Sequence, residues 1–158
     1  MAWTVRVAAA QDAVRCAEIV TGLADFFTGD VPDKVRRDLH DHGGWVIDDA
    51  GDVVGFVIVE RRGARAAEIL WAAIAADRRG RGLGSRLIDH VLDELGADGV
   101  QIVEVKTLDP SADYAPYEAT RAFWTARGFV QFDTIDPLPG WPPGNPAALL
   151  AVALAPTR

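Results

Sequence analysis

Residues 78–86 read Arg-Arg-Gly-Arg-Gly-Leu-Gly-Ser-Arg, placing four arginines and three glycines in nine positions. Glycine has no Cβ, so Gly80, Gly82 and Gly84 allow positive φ and let the backbone approach a ligand closely. Arg79, Arg81 and Arg86 supply mobile positive charge beside that backbone. The combination suits a diphosphate. Its setting reinforces the reading: Ala67–Ala75 is an apolar run with the character of a buried strand. Leu83, Leu87, Ile88, Val91, Leu92 and Leu95 then recur at helical spacing. A strand, a glycine-rich turn and a helix direct free backbone N–H groups and the positive helix end at an anion.

Further groups able to take part in chemistry are few. Strict alternation along the strand puts Glu68 on one face with Leu70, Ala72 and Ile74. Apolar neighbours would raise a carboxylate's pKa towards neutrality, as suits a base taking a proton from an ammonium group. The competing expectation is an exposed strand-end glutamate near the Arg61–Arg65 turn, paired with Arg65. Glu104, on the following strand, is the reserve. Cys16 lies in a helical stretch with nothing nearby to activate it, so it reads as a small packed side chain. His40 and His42 stand two apart on a helix and face different ways, so no metal site is expected.

The elements that must position these residues follow from periodicity and turn signals. Trp3–Ala8 reads as a first strand, and Asp12 as the N-cap of a helix reaching about Leu23. Asp25–Pro32 is a loop, and Pro32–His42 a short polar helix begun by proline. Trp45–Ile47 and Val53–Glu60 form a hairpin, and Ala66–Ala75 continues it as a meander. The helix after Gly84 crosses over to Gln101–Thr107, which is therefore expected parallel to its predecessor. Tyr117–Arg127 is a helix stopped by Gly128, and Phe129–Asp133 a strand. Leu138–Pro146, with four prolines and Trp141, cannot enter a sheet, and Ala147–Ala153 is the last strand.

The chain has 158 residues, 49% hydrophobic and 25% charged, as an ordinary single globular domain over residues 1–158 would be. Net charge −7 argues against nucleic-acid binding and makes the arginine cluster a local exception. No stretch has the length and apolarity of a membrane span and no signal-type segment follows Met1, so no membrane association is expected. One cysteine excludes an internal disulfide and fits a cytoplasmic setting.

Three phosphate-binding patterns compete for the glycine turn. A Walker A loop needs a lysine that is missing here, and a dinucleotide fingerprint needs glycine where Ser85 stands. Arg79, Gly82 and Gly84 fill [Q/R]-x-x-G-x-[G/A], which resembles the coenzyme A loop of the GNAT superfamily of N-acyltransferases. A second segment, from Tyr117 through Trp124 to Gly128-Phe129, resembles that family's late helix N-x-x-A-x-x-x-Y-x-x-x-G-F. The element order also agrees from Trp3 to Ala153.

The resemblance implies a mixed α/β (α+β) fold: a mostly antiparallel sheet splayed between two strands, with helices on both faces. It implies acetyl-CoA as co-substrate, with no metal. Arg79, Gly80, Arg81, Gly82, Leu83, Gly84 and Ser85 would hold the diphosphate. Ala72, Ala73 and Ile74 would pair with the pantetheine arm. Glu68 lies six residues before Ile74, the spacing of the catalytic glutamate in histone-acetylating members. Two departures stand out: Tyr117 replaces the usual asparagine, and Trp124 the tyrosine that protonates the departing thiolate. An indole donates a hydrogen bond but gives up no proton near neutral pH. Tyr117, Tyr114 or solvent would then serve, with Trp124 packed beside the thiol. The activity implied is direct acetyl transfer to a primary amine, on a small molecule or a peptide. The alternatives are transfer of a larger acyl group, or a coenzyme A-binding sensor without turnover. Leu138–Pro146 is read as a cover over the acceptor or as a homodimer contact.

Overall fold

The computed structural model describes residues 3–155. Seven strands form one sheet: β1 (Trp3–Val7), β2 (Gly44–Asp49), β3 (Asp52–Arg61), β4 (Ala66–Ile74), β5 (Ile102–Leu108), β6 (Val130–Ile135) and β7 (Ala147–Ala153), in the order β1-β2-β3-β4-β5-β7-β6. Neighbours are antiparallel except β4 and β5. That pair is joined by a helical crossover, as the sequence predicts.

The helices are α1 (Ala13–Thr21), α2 (Val31–His42), α3 (Leu83–Ala97) and α4 (Pro116–Ala126). Helices α1 and α2 cover one face through Cys16, Val20, Val35 and Leu39, packed on Val46, Phe56 and Ile58. On the opposite face Leu87, Val91 and Leu95 of α3 and Trp124 of α4 pack on Val57, Ile69, Val103 and Leu150. Strand β3 is buried from Val53 to Val59, because both layers press on it. Its Gly55 is required by packing: a Cβ there would lie 2.4 Å from Ile74 Cδ1 and 2.9 Å from Ile47 Cγ2.

Element boundaries match the expected ones to within a few residues, with one correction at the first helix. Asp12 stands at the N-cap position, as expected, but its side chain does not cap the helix. It closes a short 3₁₀ turn (Ala10–Asp12), and its carboxylate takes bonds from Arg6 at 2.8 Å and the Ala9 N–H at 2.7 Å. An arginine on the adjacent strand competes successfully for a side chain that would otherwise turn back on its own helix.

The feature that positions the site is a divergence in mid-sheet. Strands β4 and β5 pair only from Ala66–Ile102 to Ile69–Val105. Beyond that point Leu70–Ile74 and Lys106–Leu108 splay apart, β4 staying with β3 and β5 with β7.

Candidate active site at the splay

The glycine turn lies just past the end of β4. Gly80 and Gly82 have φ of +78° and +74°, and a Cβ at either would point into open space. Gly82 is the left-handed N-cap of α3; no side chain caps this helix, and its first turn holds no acidic residue. Backbone amides and the positive helix end are therefore available to an anion. Gly84 serves packing instead, since a Cβ there would stand 3.3 Å from the Phe123 ring. Leu83 is buried, and Ser85 is half-buried beside it.

The four arginines divide by role. Arg78 is half-buried and faces Asp49 at 3.7 Å and Asp52 at 3.6 Å, bracing the turn against the β2–β3 hairpin. Arg81 and Arg86 are exposed. The Arg79 guanidinium carbon sits 4.8 Å from the centroid of the Phe26 ring, within cation–π range. Phe26 belongs to the loop between α1 and α2, so this contact joins the glycine turn to a distant part of the chain.

That loop forms a rim over the splay. The Phe26 ring meets Tyr117 edge-on at 5.4 Å, and Phe27 meets Trp71 at 6.2 Å. Tyr117 donates its hydroxyl to the Phe26 carbonyl and Tyr114 donates to the Asp25 carbonyl, both at 2.7 Å. Burial, then the neighbouring Tyr114, push the Tyr117 phenol above its ordinary pKa, so it keeps its proton near neutrality. The Trp71 indole donates to Asp38 on α2 at 2.7 Å. None of Phe26, Phe27, Trp71 and Asp38 is singled out by the sequence reading. Two adjacent phenylalanines in a loop of Asp, Thr and Gly are the available signal, and both pack against the core under α1 and α2.

Trp124 is 5% exposed and wedged between Phe123 and Phe129, with ring centroids 5.1 and 5.0 Å away. Its surroundings are those of a core residue.

Glu68 requires two corrections. Strict alternation fails because β4 carries a bulge at Leu70: Ile69 pairs with Val59, but Trp71 with Ile58. The face bearing Glu68 and Leu70 thus continues into Trp71 and Ala73, whereas Ala72 and Ile74 pack on the α3 side. Nor are the carboxylate's neighbours apolar. Glu68 is 5% exposed, and its oxygens take hydrogen bonds from Arg62 and from Lys106 Nζ, the latter at 3.0 Å. The partner is Arg62, not Arg65. Lys106 also reaches Glu104 at 3.4 Å and Arg62 reaches Glu60 at 3.2 Å, giving an alternating chain Glu60–Arg62–Glu68–Lys106–Glu104 across three strands. Cys16 is fully buried and its thiol is pushed up to about 12, by burial first and Asp12 next. A nucleophilic thiolate is excluded there at neutral pH.

A model of the acetyltransferase (GNAT) family matches residues 15–129. The chain belongs to that family. Among curated proteins no match by sequence is found. Solved structures of the same fold are numerous. A protein assigned to the GNAT family from Desulfovibrio desulfuricans superposes with TM-score 0.85 at 19% identity, covering 98% of this chain and 100% of its own. The ribosomal-protein-S18-alanine N-acetyltransferase of Escherichia coli gives 0.77 at 17% identity, with coverage of 99% and 97%. An aminoglycoside 6'-N-acetyltransferase complexed with coenzyme A gives 0.73 at 15%, with coverage of 98% and 99%. The expected fold is thereby met: an open, mostly antiparallel mixed sheet with a splay and helices on both faces. No helix among the described residues is long and apolar enough to cross a membrane.

Proposed function

We propose that this acetyltransferase moves an acetyl group from acetyl-CoA to a primary amine by direct attack. The observation that carries the reading is the splay, which opens a gap in the sheet beside two left-handed glycines and an uncapped helix end. In this reading Gly80 to Ser85 hold the diphosphate through backbone N–H groups, with Arg79 and Arg81 adding charge. Charge-assisted bonds of this kind contribute about 1.5–3 kcal/mol each. The free edge of β4 at Ala72, Ala73 and Ile74 pairs with the pantetheine arm, and one of its N–H groups steadies the thioester oxygen.

The amine approaches from the α1–α2 side, along Phe27 and Trp71. As its nitrogen bonds to the acyl carbon, the carbon–sulfur bond breaks and one ammonium proton has already left. Glu68 receives that proton through water, because both its oxygens are engaged; Glu104 holds fewer partners and is the second choice. Tyr117, after releasing the Phe26 carbonyl, supplies the proton that the thiolate takes up, and its phenolate regains one through solvent as the amide nitrogen sheds its second proton. Trp124 packs beneath the arm. The acceptors named for the similar structures, an aminoglycoside and the S18 alanine, are both amines, and the acidic chain favours a cationic acceptor through long-range attraction. The lone, inert Cys16 is in keeping with a cytoplasmic setting.

Thiol release from acetyl-CoA across a panel of polyamines, aminoglycosides and peptides tests the reading. Amine-dependent release is expected. Tight coenzyme A binding with no release for any amine would instead make the protein a sensor.

A further inference from the structure

Thr107 is 4% exposed, and its hydroxyl has no hydrogen-bond partner among the described residues. It is the one buried side-chain polar atom among them of which this is true. Leaving a buried hydroxyl unpaired is costly, and native interiors seldom do so without a reason. A threonine could be replaced there by valine of the same shape.

Its place in the sheet suggests the reason. Thr107 is two residues beyond Val105, the last β5 residue paired with β4, so it stands where the strands have parted. Extending the parallel register by two residues sets it level with Trp71, next to Ala72. Alternation places its side chain with those of Val103 and Val105, on the face packed by α3 and α4. That is the side from which the glycine turn delivers its ligand. Helix α4 passes the same strand end, where Arg121 donates to the Leu108 carbonyl at 3.0 Å. A donor–acceptor group is thus buried at the throat of the gap with nothing among the described residues to use it.

We propose that the Thr107 hydroxyl hydrogen-bonds the thiol arm of the coenzyme, at its last amide or at the sulfur. The inference rests on the acyl-CoA reading of the splay, and the test separates the two. Thr107→Val and the wild type are titrated calorimetrically with coenzyme A, with desulfo-coenzyme A, and with adenosine 3′,5′-bisphosphate, which lacks the arm. Losing one bond from a buried site should weaken coenzyme A about tenfold. The bisphosphate should bind unchanged, and the melting temperature should match or exceed that of the wild type. Thr107→Ser, which keeps the hydroxyl, should bind coenzyme A nearly as well as the wild type. A loss for coenzyme A alone assigns the sulfur; a loss shared by desulfo-coenzyme A assigns the amide.

Equal coenzyme A affinity in Thr107→Val overturns the inference and leaves the acyl-CoA reading standing. So does an equal loss for coenzyme A and the bisphosphate. A wild type that binds none of the three ligands removes both. Should the valine variant fail to fold, the contrast between Thr107→Ser and Thr107→Ala carries the same test.

Discussion

The two sides of the splay are built from different materials. On the α3 side stand backbone amides at a bare helix end and exposed arginines, with an unpaired hydroxyl buried beneath them. On the α1–α2 side nearly every polar group is already taken: Tyr117 by Phe26, Tyr114 by Asp25, Trp71 by Asp38, and Glu68 by Arg62 and Lys106. A ligand on the first side adds bonds; one on the second must exchange them. Exchange makes binding sensitive to the shape and charge of what arrives, because each displaced partner has to be matched. Selectivity for the acceptor should therefore reside among Phe26, Phe27, Trp71 and Tyr117, and coenzyme affinity should be indifferent to most of them.

The harshest challenge to this division is Gly82→Glu. It puts a side chain and a negative charge where φ is +74° and the helix end is bare. Coenzyme A binding should fall below detection in a calorimetric titration while the circular dichroism spectrum persists; retained affinity would move the diphosphate elsewhere. Next is Glu68→Gln, expected to lower turnover by about 10²–10⁴-fold, the usual range for a general base, with coenzyme A affinity preserved. A wild-type rate would pass the role to Glu104 or solvent. Tyr117→Phe removes the proposed proton donor and the tie to Phe26; kcat should drop about tenfold or more, again with little change in coenzyme A affinity.

Phe26→Leu is the one change expected to cross the divide, because Phe26 touches both Arg79 and Tyr117. Losing the cation–π contact should weaken coenzyme A by about 0.5–1 kcal/mol, two- to fivefold. No change would show that Arg79 needs no support from the loop.

Smallest in its effect on turnover is Asp109, which ties the end of β5 to β6. Burial alone would push its carboxyl up, but bonds from the Ser111 hydroxyl and N–H, Gln131 and Thr134 outweigh this and bring it to about 2. A folded-state value below the unfolded one stabilises the fold above about pH 4, and that stabilisation is lost as pH falls towards 2. Asp109→Asn should thus cost about 1–3 kcal/mol at pH 7 in urea unfolding, with the gap closing at acid pH. A gap independent of pH would contradict the ionised carboxylate.

The same contrast explains what the sequence disclosed. The glycine turn was legible because backbone geometry leaves its mark on residue type: only glycine serves at 80 and 82, and the helix after it repeats in the ordinary way. The order of strands was legible for similar reasons, through turns and a crossover. The α1–α2 side was not, because Phe26, Trp71 and Lys106 are related by no local pattern; only Tyr117 stood out there, through its place in the late helix. Glu68 stands out in the sequence, but its ion partners do not, since the chain of charges is assembled across three strands. The bulge at Leu70 left no trace either; leucine is as ordinary in a bulge as in a ladder.

That single surplus residue has a practical meaning. A chain shortened by one codon at position 70 would restore the plain ladder against β3 with every other pair kept: Ile69 opposite Val59, Trp71 opposite Ile58 and Ala72 opposite Val57. Trp71 and Ala73 would stay on the side of α1 and α2, and Ala72 and Ile74 on that of α3, so the cut takes one side chain from a single face of the sheet. Retuning this enzyme for a new amine by deletion, rather than by substitution, would start at that residue.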